Sequence, residues 1–294
     1  MEFGRVVTAM VTPFDENGEI NFKVVKQLAR KLADEGSDAI VVTGTTGESP
    51  TLSHEEDLLL YAKVLDEVGS RVKVIAGTGS NCTSTTVRYT KLAESVGCHG
   101  AMIVVPYYNK PSQEGLYQHF VSIANEVAFP LMIYNIPGRT GVNMLPETVI
   151  KISEKARNYF AIKEASGNLD QMRKVITLNQ RSDFKLYSGD DSLTLDVLKL
   201  GGQGVVSVAS HIAGLQIREM ITTYTRGDVT SAQKINERLS SLFSVLFITS
   251  NPSPVKEALR LIGCPVGGVR LPLVAVNEEE REQIKGVLKQ LDLI

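Results

Sequence analysis

Eight times in this chain a short apolar run is followed by a helical pattern, and that repetition confines the fold more than any single residue does. The runs at 6–11, 39–42, 72–76, 101–105, 131–134, 159–162, 184–187 and 204–208 read as buried strands. Behind them, apolar residues recur at helical spacing over 22–32, 54–68, 83–96, 114–126, 146–153, 169–178, 192–200 and 212–225. Local punctuation agrees. Thr12-Pro13-Phe14-Asp15-Glu16-Asn17-Gly18 is a turn, Gly36 closes the first helix, and Ser53 opens the second with acidic residues in its first turn. Eight βα units at a spacing of roughly thirty residues are what a (β/α)8 TIM barrel requires. An open doubly wound sheet competes, but it has no need of eight uniform units, and no G-x-G-x-x-G follows the first strand.

After Gly227 the strand signals stop, and 229–247, 254–262 and 278–291 read as helices. The expected organisation is a catalytic α/β barrel over 1–226 and a C-terminal helical region over 227–294 packed on it. A chain of 294 residues accommodates both. Hydrophobic residues at 43%, charged residues at 22% and a net charge of -2 give no electrostatic footprint for nucleic acid or an anionic membrane. No basic leader, apolar h-region or membrane-length run is present, so a cytoplasmic location is expected. Cys82, Cys98 and Cys264 form no C-x-x-C pair, and His54, His99, His119 and His211 are scattered singly, so neither a disulfide framework nor a metal site is expected.

In a barrel of this kind the residues just after each strand face the site. Tyr159-Phe160-Ala161-Ile162-Lys163 ends an apolar run in a lysine. Burial disfavours the ammonium, lowers its pKa and makes a neutral amine available to attack a carbonyl carbon. On this stretch alone the alternative, a lysine snorkelling to solvent, stays open. Gly44-Thr45-Thr46-Gly47-Glu48-Ser49 lacks the ending of a P-loop; it is either a tight turn or a small anion-binding concavity of amides and hydroxyls. Tyr134 is a rim aromatic or, beside an amine, a proton shuttle relayed through Thr45 and Tyr108. Arg139, behind a proline-fixed turn, is a solvated surface charge or a fork for a substrate carboxylate.

Taken together, Gly44 to Ser49, Pro106-Tyr107-Tyr108-Asn109-Lys110-Pro111, Tyr134-Asn135-Ile136-Pro137-Gly138-Arg139-Thr140, Ile162-Lys163-Glu164-Ala165 and Ser188-Gly189-Asp190-Asp191 resemble the dihydrodipicolinate synthase family, in order and with matching spacing. That resemblance implies a cofactor-free, Schiff-base-forming lyase that condenses pyruvate with aspartate 4-semialdehyde on the diaminopimelate route to lysine. It implies Lys163 as imine-forming residue, Tyr134 as proton donor and acceptor, and Thr45 and Tyr108 as relay, with Tyr108 reaching across an interface into a neighbouring subunit. It also implies that Thr46 binds the pyruvate carboxylate, Val206 contacts pyruvate through its backbone, and Arg139 anchors the semialdehyde. A homo-oligomer, at least a dimer and expected as a homotetramer, follows from the same resemblance.

The wider superfamily also holds N-acetylneuraminate lyases and keto-sugar-acid aldolases, which share the lysine and tyrosine. Neuraminate lyases resemble this chain but typically carry serine at the position of Thr45 and lack Arg139, which favours the short amino-acid aldehyde. A barrel reduced to a binding subunit would be expected to have lost Lys163 or Tyr134, and both are present. Lysine-inhibited members typically carry a histidine and a glutamate where Asp57 and Thr85 stand here, so weak or absent lysine feedback is expected. The sequence suggests no role for Pro50.

Overall fold

The computed structural model describes residues 3–294. In chain order the barrel runs β1 (Val6–Ala9), α1 (Phe22–Asp34), β2 (Ala39–Val42), α2 (His54–Val68), β3 (Lys73–Gly77), α3 (Thr83–Val96), β4 (Gly100–Val104) and α4 (Gln113–Glu126). It continues with β5 (Leu131–Asn135), α5 (Pro137–Thr140), α6 (Pro146–Lys155), β6 (Tyr159–Glu164), α7 (Leu169–Leu178), β7 (Lys185–Ser188), α8 (Thr194–Lys199), β8 (Gly204–Ser207) and α9 (Ser210–Thr225). The eight strands form one closed parallel barrel in sequence order, with β1 hydrogen-bonded to β8. This is the (β/α)8 architecture that the repeated βα pattern implies.

Closure makes every strand two-sided, which is why the runs are continuously apolar rather than alternating. Val7, Ala9, Ala39, Val41, Ile75, Met102, Met132, Tyr134 and Val206 fill the interior, together with Phe3 from the N-terminal approach. Ile40, Val42, Val74, Ile103, Ile133, Ile162 and Val205 face outward into the apolar layer beneath the helices. That outer layer extends without a break into α10 (Val229–Val245), α11 (Ser253–Leu261) and α12 (Glu278–Gln290), through Leu239, Leu242, Leu259, Ile284 and Leu288. Burying side chains of this size contributes roughly 1.5–3 kcal/mol each.

Three local departures from the sequence reading have physical causes. β1 stops at Ala9 because the chain then turns across the mouth, where the Thr12 hydroxyl donates to Gly47 O at 2.6 Å and the Phe14 amide donates to Val266 O. The helix expected over 192–200 is split: Asp191–Leu193 is a single 3-10 turn, and α8 begins only at Thr194. The short α5 was not foreseen. Its cause is a proline at the first turn and Gly141 in the left-handed conformation as terminator (φ 74).

Candidate active site

The orientation of Lys163 depends on an irregularity. Leu131 pairs with Tyr159, but the next residue, Met132, pairs with Ala161, so Phe160 is an extra residue in β6. Side chains alternate along a strand, and a regular β6 with Tyr159 facing outward would also send Lys163 outward. Tyr159 does face outward, where its ring meets Phe120, whereas Phe160 packs edge-on against Phe3 inside the barrel. Past the bulge the parity is reversed, and Lys163 pairs in register with Tyr134, which belongs to the interior cluster. The lysine is 5% exposed and the tyrosine 4%. Lys163 Nζ sits 4.1 Å from the centre of the Tyr134 ring.

The strand ends carrying this pair are locked from behind. Glu164, facing opposite to Lys163, accepts from Asn135 Nδ2 (3.0 and 3.2 Å), Gln171 Nε2 (3.1 Å) and the Ser166 amide (2.8 Å). Burial nevertheless pushes its carboxyl above the usual range. Asp191 closes the mouth at β8 by accepting from the Ser207 hydroxyl and from the amides of Val208 (3.0 Å) and Ala209 (2.9 Å). Burial raises Asp191 and also its neighbour Asp190, in both cases against the pull of the Lys163 ammonium.

After β2 the chain forms a compact loop. Thr43 and Glu48 both adopt left-handed backbone (φ 55 and 57), and the amides of Gly47, Glu48 and Ser49 fold back on the carbonyls of Gly44 and Thr45. Among the described residues nothing accepts from the Thr45 and Thr46 amides. Two adjacent free N–H groups thus stand beside two hydroxyls, the ingredients an anion-binding concavity would need. Non-glycine residues avoid positive φ, at a cost of order 1–3 kcal/mol. Of the five that adopt it among the described residues, Thr43, Glu48, Tyr108 and Lys110 flank this mouth, and Asp292 does not.

The loop is held by the C-terminal region, which sequence reasoning treated as an appendage. Asn251 Nδ2 donates to Thr46 Oγ1 at 2.9 Å. Glu48 and Lys256 form a fully buried ion pair at 2.6 Å, and Lys256 also donates to Gly268 O at 2.6 Å. Burial draws Lys256 down to about 8, against the opposing pull of Glu48. Arg270 donates its amide to Glu48 Oε2 and its guanidinium, in a two-pronged contact, to Glu56. None of these had a local signal beyond the turn chemistry of Asn251-Pro252-Ser253-Pro254.

A cavity of about 540 Å³ opens over the mouth, lined by Thr45, Tyr134 and Arg139 and extending to His54, Asp57, Ser80, Thr85, Tyr89 and Tyr107. Arg139, on α5, is exposed, and its guanidinium makes no ion pair or hydrogen bond within the described residues. Val206 lies in the barrel interior with Tyr134. Thr46 is buried. Tyr108 is different: it is 88% exposed, in left-handed backbone (φ 72), and absent from the cavity wall. A single chain therefore brings Thr45, Tyr134 and Arg139 into the cavity wall, with Lys163 against Tyr134 and Val206 in the barrel interior beneath it, and does not bring Tyr108 to them. No group of three or more His, Cys, Asp or Glu side chains among the described residues is arranged to hold a metal ion.

A closed (β/α)8 barrel with an amine and a phenol side by side inside its C-terminal mouth defines a barrel lyase. The model of the Dihydrodipicolinate synthetase family matches residues 2–291, and the chain belongs to that family. It is 53% identical over 294 residues to the 4-hydroxy-tetrahydrodipicolinate synthase of Desulforamulus reducens, covering 100% of this chain and 99% of that one. The Bacillus subtilis (strain 168) synthase is 50% identical over 291 residues, with 99% and 100% covered. A solved structure of the Cyanidioschyzon merolae enzyme with lysine bound superposes with a TM-score of 0.98 at 48% identity, covering 99% of both chains.

Proposed function

We propose that Lys163 is the residue through which this chain performs its reaction, the condensation of pyruvate with L-aspartate 4-semialdehyde to 4-hydroxy-tetrahydrodipicolinate. The enzyme is a lyase of lysine and diaminopimelate biosynthesis. The amine attacks the ketone carbon of pyruvate, the carbinolamine loses water, and the protonated imine nitrogen withdraws electrons from the methyl carbon. Loss of a methyl proton gives an enamine, which forms the new carbon–carbon bond at the aldehyde carbon, and the semialdehyde's own amine then attacks the imine carbon, closing the ring and releasing the Lys163 amine. Tyr134, against the amine, takes and returns the protons, and Thr45 relays them. The Thr46 hydroxyl and the adjacent amides hold the pyruvate carboxylate, the Val206 backbone borders the pyruvate, and Arg139 holds the semialdehyde carboxylate at the cavity edge.

The observation that carries this reading is the buried Lys163–Tyr134 contact at 4.1 Å, on adjacent strands in register. The exposed Tyr108 supports an assembly of at least two subunits, expected as a homotetramer, in which each site receives Tyr108 of the partner subunit. Among the described residues no helix is long and apolar enough to cross a membrane; a cytoplasmic enzyme needing no cofactor or metal is the accompanying proposal. At the far end of the cavity Thr85 offers a lysine α-amino group no carboxylate, which supports weak lysine feedback.

Incubation with pyruvate and borohydride, followed by intact mass and peptide mapping, tests the core of the mechanism. A single reduced pyruvate adduct on Lys163 is expected, with turnover of aspartate semialdehyde and none of N-acetylneuraminate. Active, folded protein without an adduct on Lys163 refutes the mechanism.

A further inference from the structure

We infer that Asn251 is a positioning residue that sets the direction of the Thr46 hydroxyl proton and, through it, the affinity for the keto-acid carboxylate. This rests on the reading of Thr46 as a carboxylate-binding group. The two residues lie 205 positions apart, yet both are buried and share one hydrogen bond. An amide NH2 can only donate, so Thr46 Oγ1 is obliged to accept, and its own proton is left to point elsewhere. A hydroxyl that has accepted one bond and has a free proton is a donor suited to an anion.

The opposite arrangement is chemically available. Rotating the Asn251 amide by half a turn would present Oδ1 to Thr46, which would then donate to it and be lost to the substrate. In the observed orientation Asn251 Oδ1 is buried without a partner, a cost of roughly 1–3 kcal/mol for an unsatisfied acceptor. A charge-assisted bond from Thr46 to a carboxylate is about twice as strong as a neutral one and offsets it. Asn251 is in turn fixed at the entrance to α11, where Lys256 is tied to Glu48 of the same loop and the Ser253 hydroxyl donates to Val274 O at 2.7 Å. Together with the Arg270 amide on Glu48, the C-terminal region thus grips this loop through one ionic contact and one directional one.

Asn251→Asp separates direction from mere anchoring, because the ionised carboxylate accepts only and takes up the Thr46 proton. Steady-state kinetics with pyruvate varied at saturating semialdehyde should show KM raised roughly tenfold or more, the equivalent of one charge-assisted bond, with kcat changed much less. Lowering the pH protonates the new carboxyl, which can then donate, so the ratio of variant to parent KM should fall towards one. Acid would equally relieve repulsion between a buried carboxylate and the keto-acid carboxylate, so the neutral Asn251→Ser is measured in parallel and must also raise KM. An unchanged KM, or a raised KM whose ratio to the parent is the same at all pH values, overturns the inference. If N251D does not fold, Asn251→Ser decides: a small rise in KM of about two- to fivefold at constant kcat is expected from a weaker donor, and no change refutes. Borohydride trapping of the parent on Lys163 is run alongside. Trapping in the parent with unaltered KM in the variant sinks only the role of Asn251, whereas no trapping in the parent sinks the underlying mechanism.

Discussion

Replacing Asp57 by asparagine should stabilise the protein at neutral pH while leaving it nearly unchanged in acid. Asp57 lies in the first turn of α2, where the helix dipole favours a negative charge by about 0.3–1 kcal/mol. Burial opposes this and wins: the carboxyl is pushed up to about 7 from its ordinary 3.8, against the pull of the Thr43 hydroxyl. Oδ1 is buried without a hydrogen-bond partner, and the His54 imidazole stands 3.9 Å from Oδ2, beyond hydrogen-bond distance. The folded chain therefore keeps this proton up to about 7, whereas the unfolded chain releases it near 3.8. Between those values the folded state binds the extra proton, so stability falls as pH rises and is greatest below 3.8. At 1.36 kcal/mol per unit of pKa the whole loss is roughly 4 kcal/mol, which exceeds the dipole benefit several-fold. For a chain of this length that corresponds to about 6 °C in melting temperature. Thermal unfolding of parent and Asp57→Asn, at fixed protein concentration because association also stabilises, should give curves that nearly coincide at pH 4 and separate progressively to pH 8. A difference that is constant across that range would refute the assignment of a buried, reluctant carboxylate.

Two further outcomes are expected. Initial rates measured against added lysine should stay within about twofold of the uninhibited rate at millimolar lysine, since an α-amino group that finds Thr85 in place of a carboxylate loses a bond of roughly 1.5–3 kcal/mol; strong inhibition at sub-millimolar lysine would show that Thr85 and Asp57 do not weaken feedback. Lys163→Ala and Tyr108→Phe should each be severely impaired alone, and co-refolding the two should restore activity, because a mixed dimer contains one site with both intact groups. No recovery in verified mixed dimers would place Tyr108 outside the neighbouring site.

The barrel was legible because its signal is repetitive: eight apolar runs, each followed by a helical period, leave few topologies. Fold class alone puts the ends of β5 and β6 and the Thr45–Thr46 loop at one mouth, but that Lys163 faces inward depends on the extra residue Phe160, which the sequence does not display. What escaped was everything set by contacts between distant segments. Asn251, Lys256 and Arg270 reach the loop after β2 from more than 200 residues away, and their local sequence announces only a turn and a helix. Glu164 and Asn135 stood inside recognised motifs, but that they turn away from the site and tie β5 to β6 follows from strand parity, which an unbroken apolar run does not display.

The extra residue in β6 makes the aim of the amine a matter of counting rather than of composition. Exchanging Phe160 for another bulky apolar side chain alters a contact with Phe3, whereas removing one residue between Tyr159 and Lys163 shifts the strand by one phase and exchanges inside for outside along everything that follows. Glu164 would then point into the barrel and Lys163 into the helical layer, with every side chain still present. Such a strand tolerates drift in its letters and no change in its length. A designer moving this lysine to another barrel has to transplant the miscount along with it.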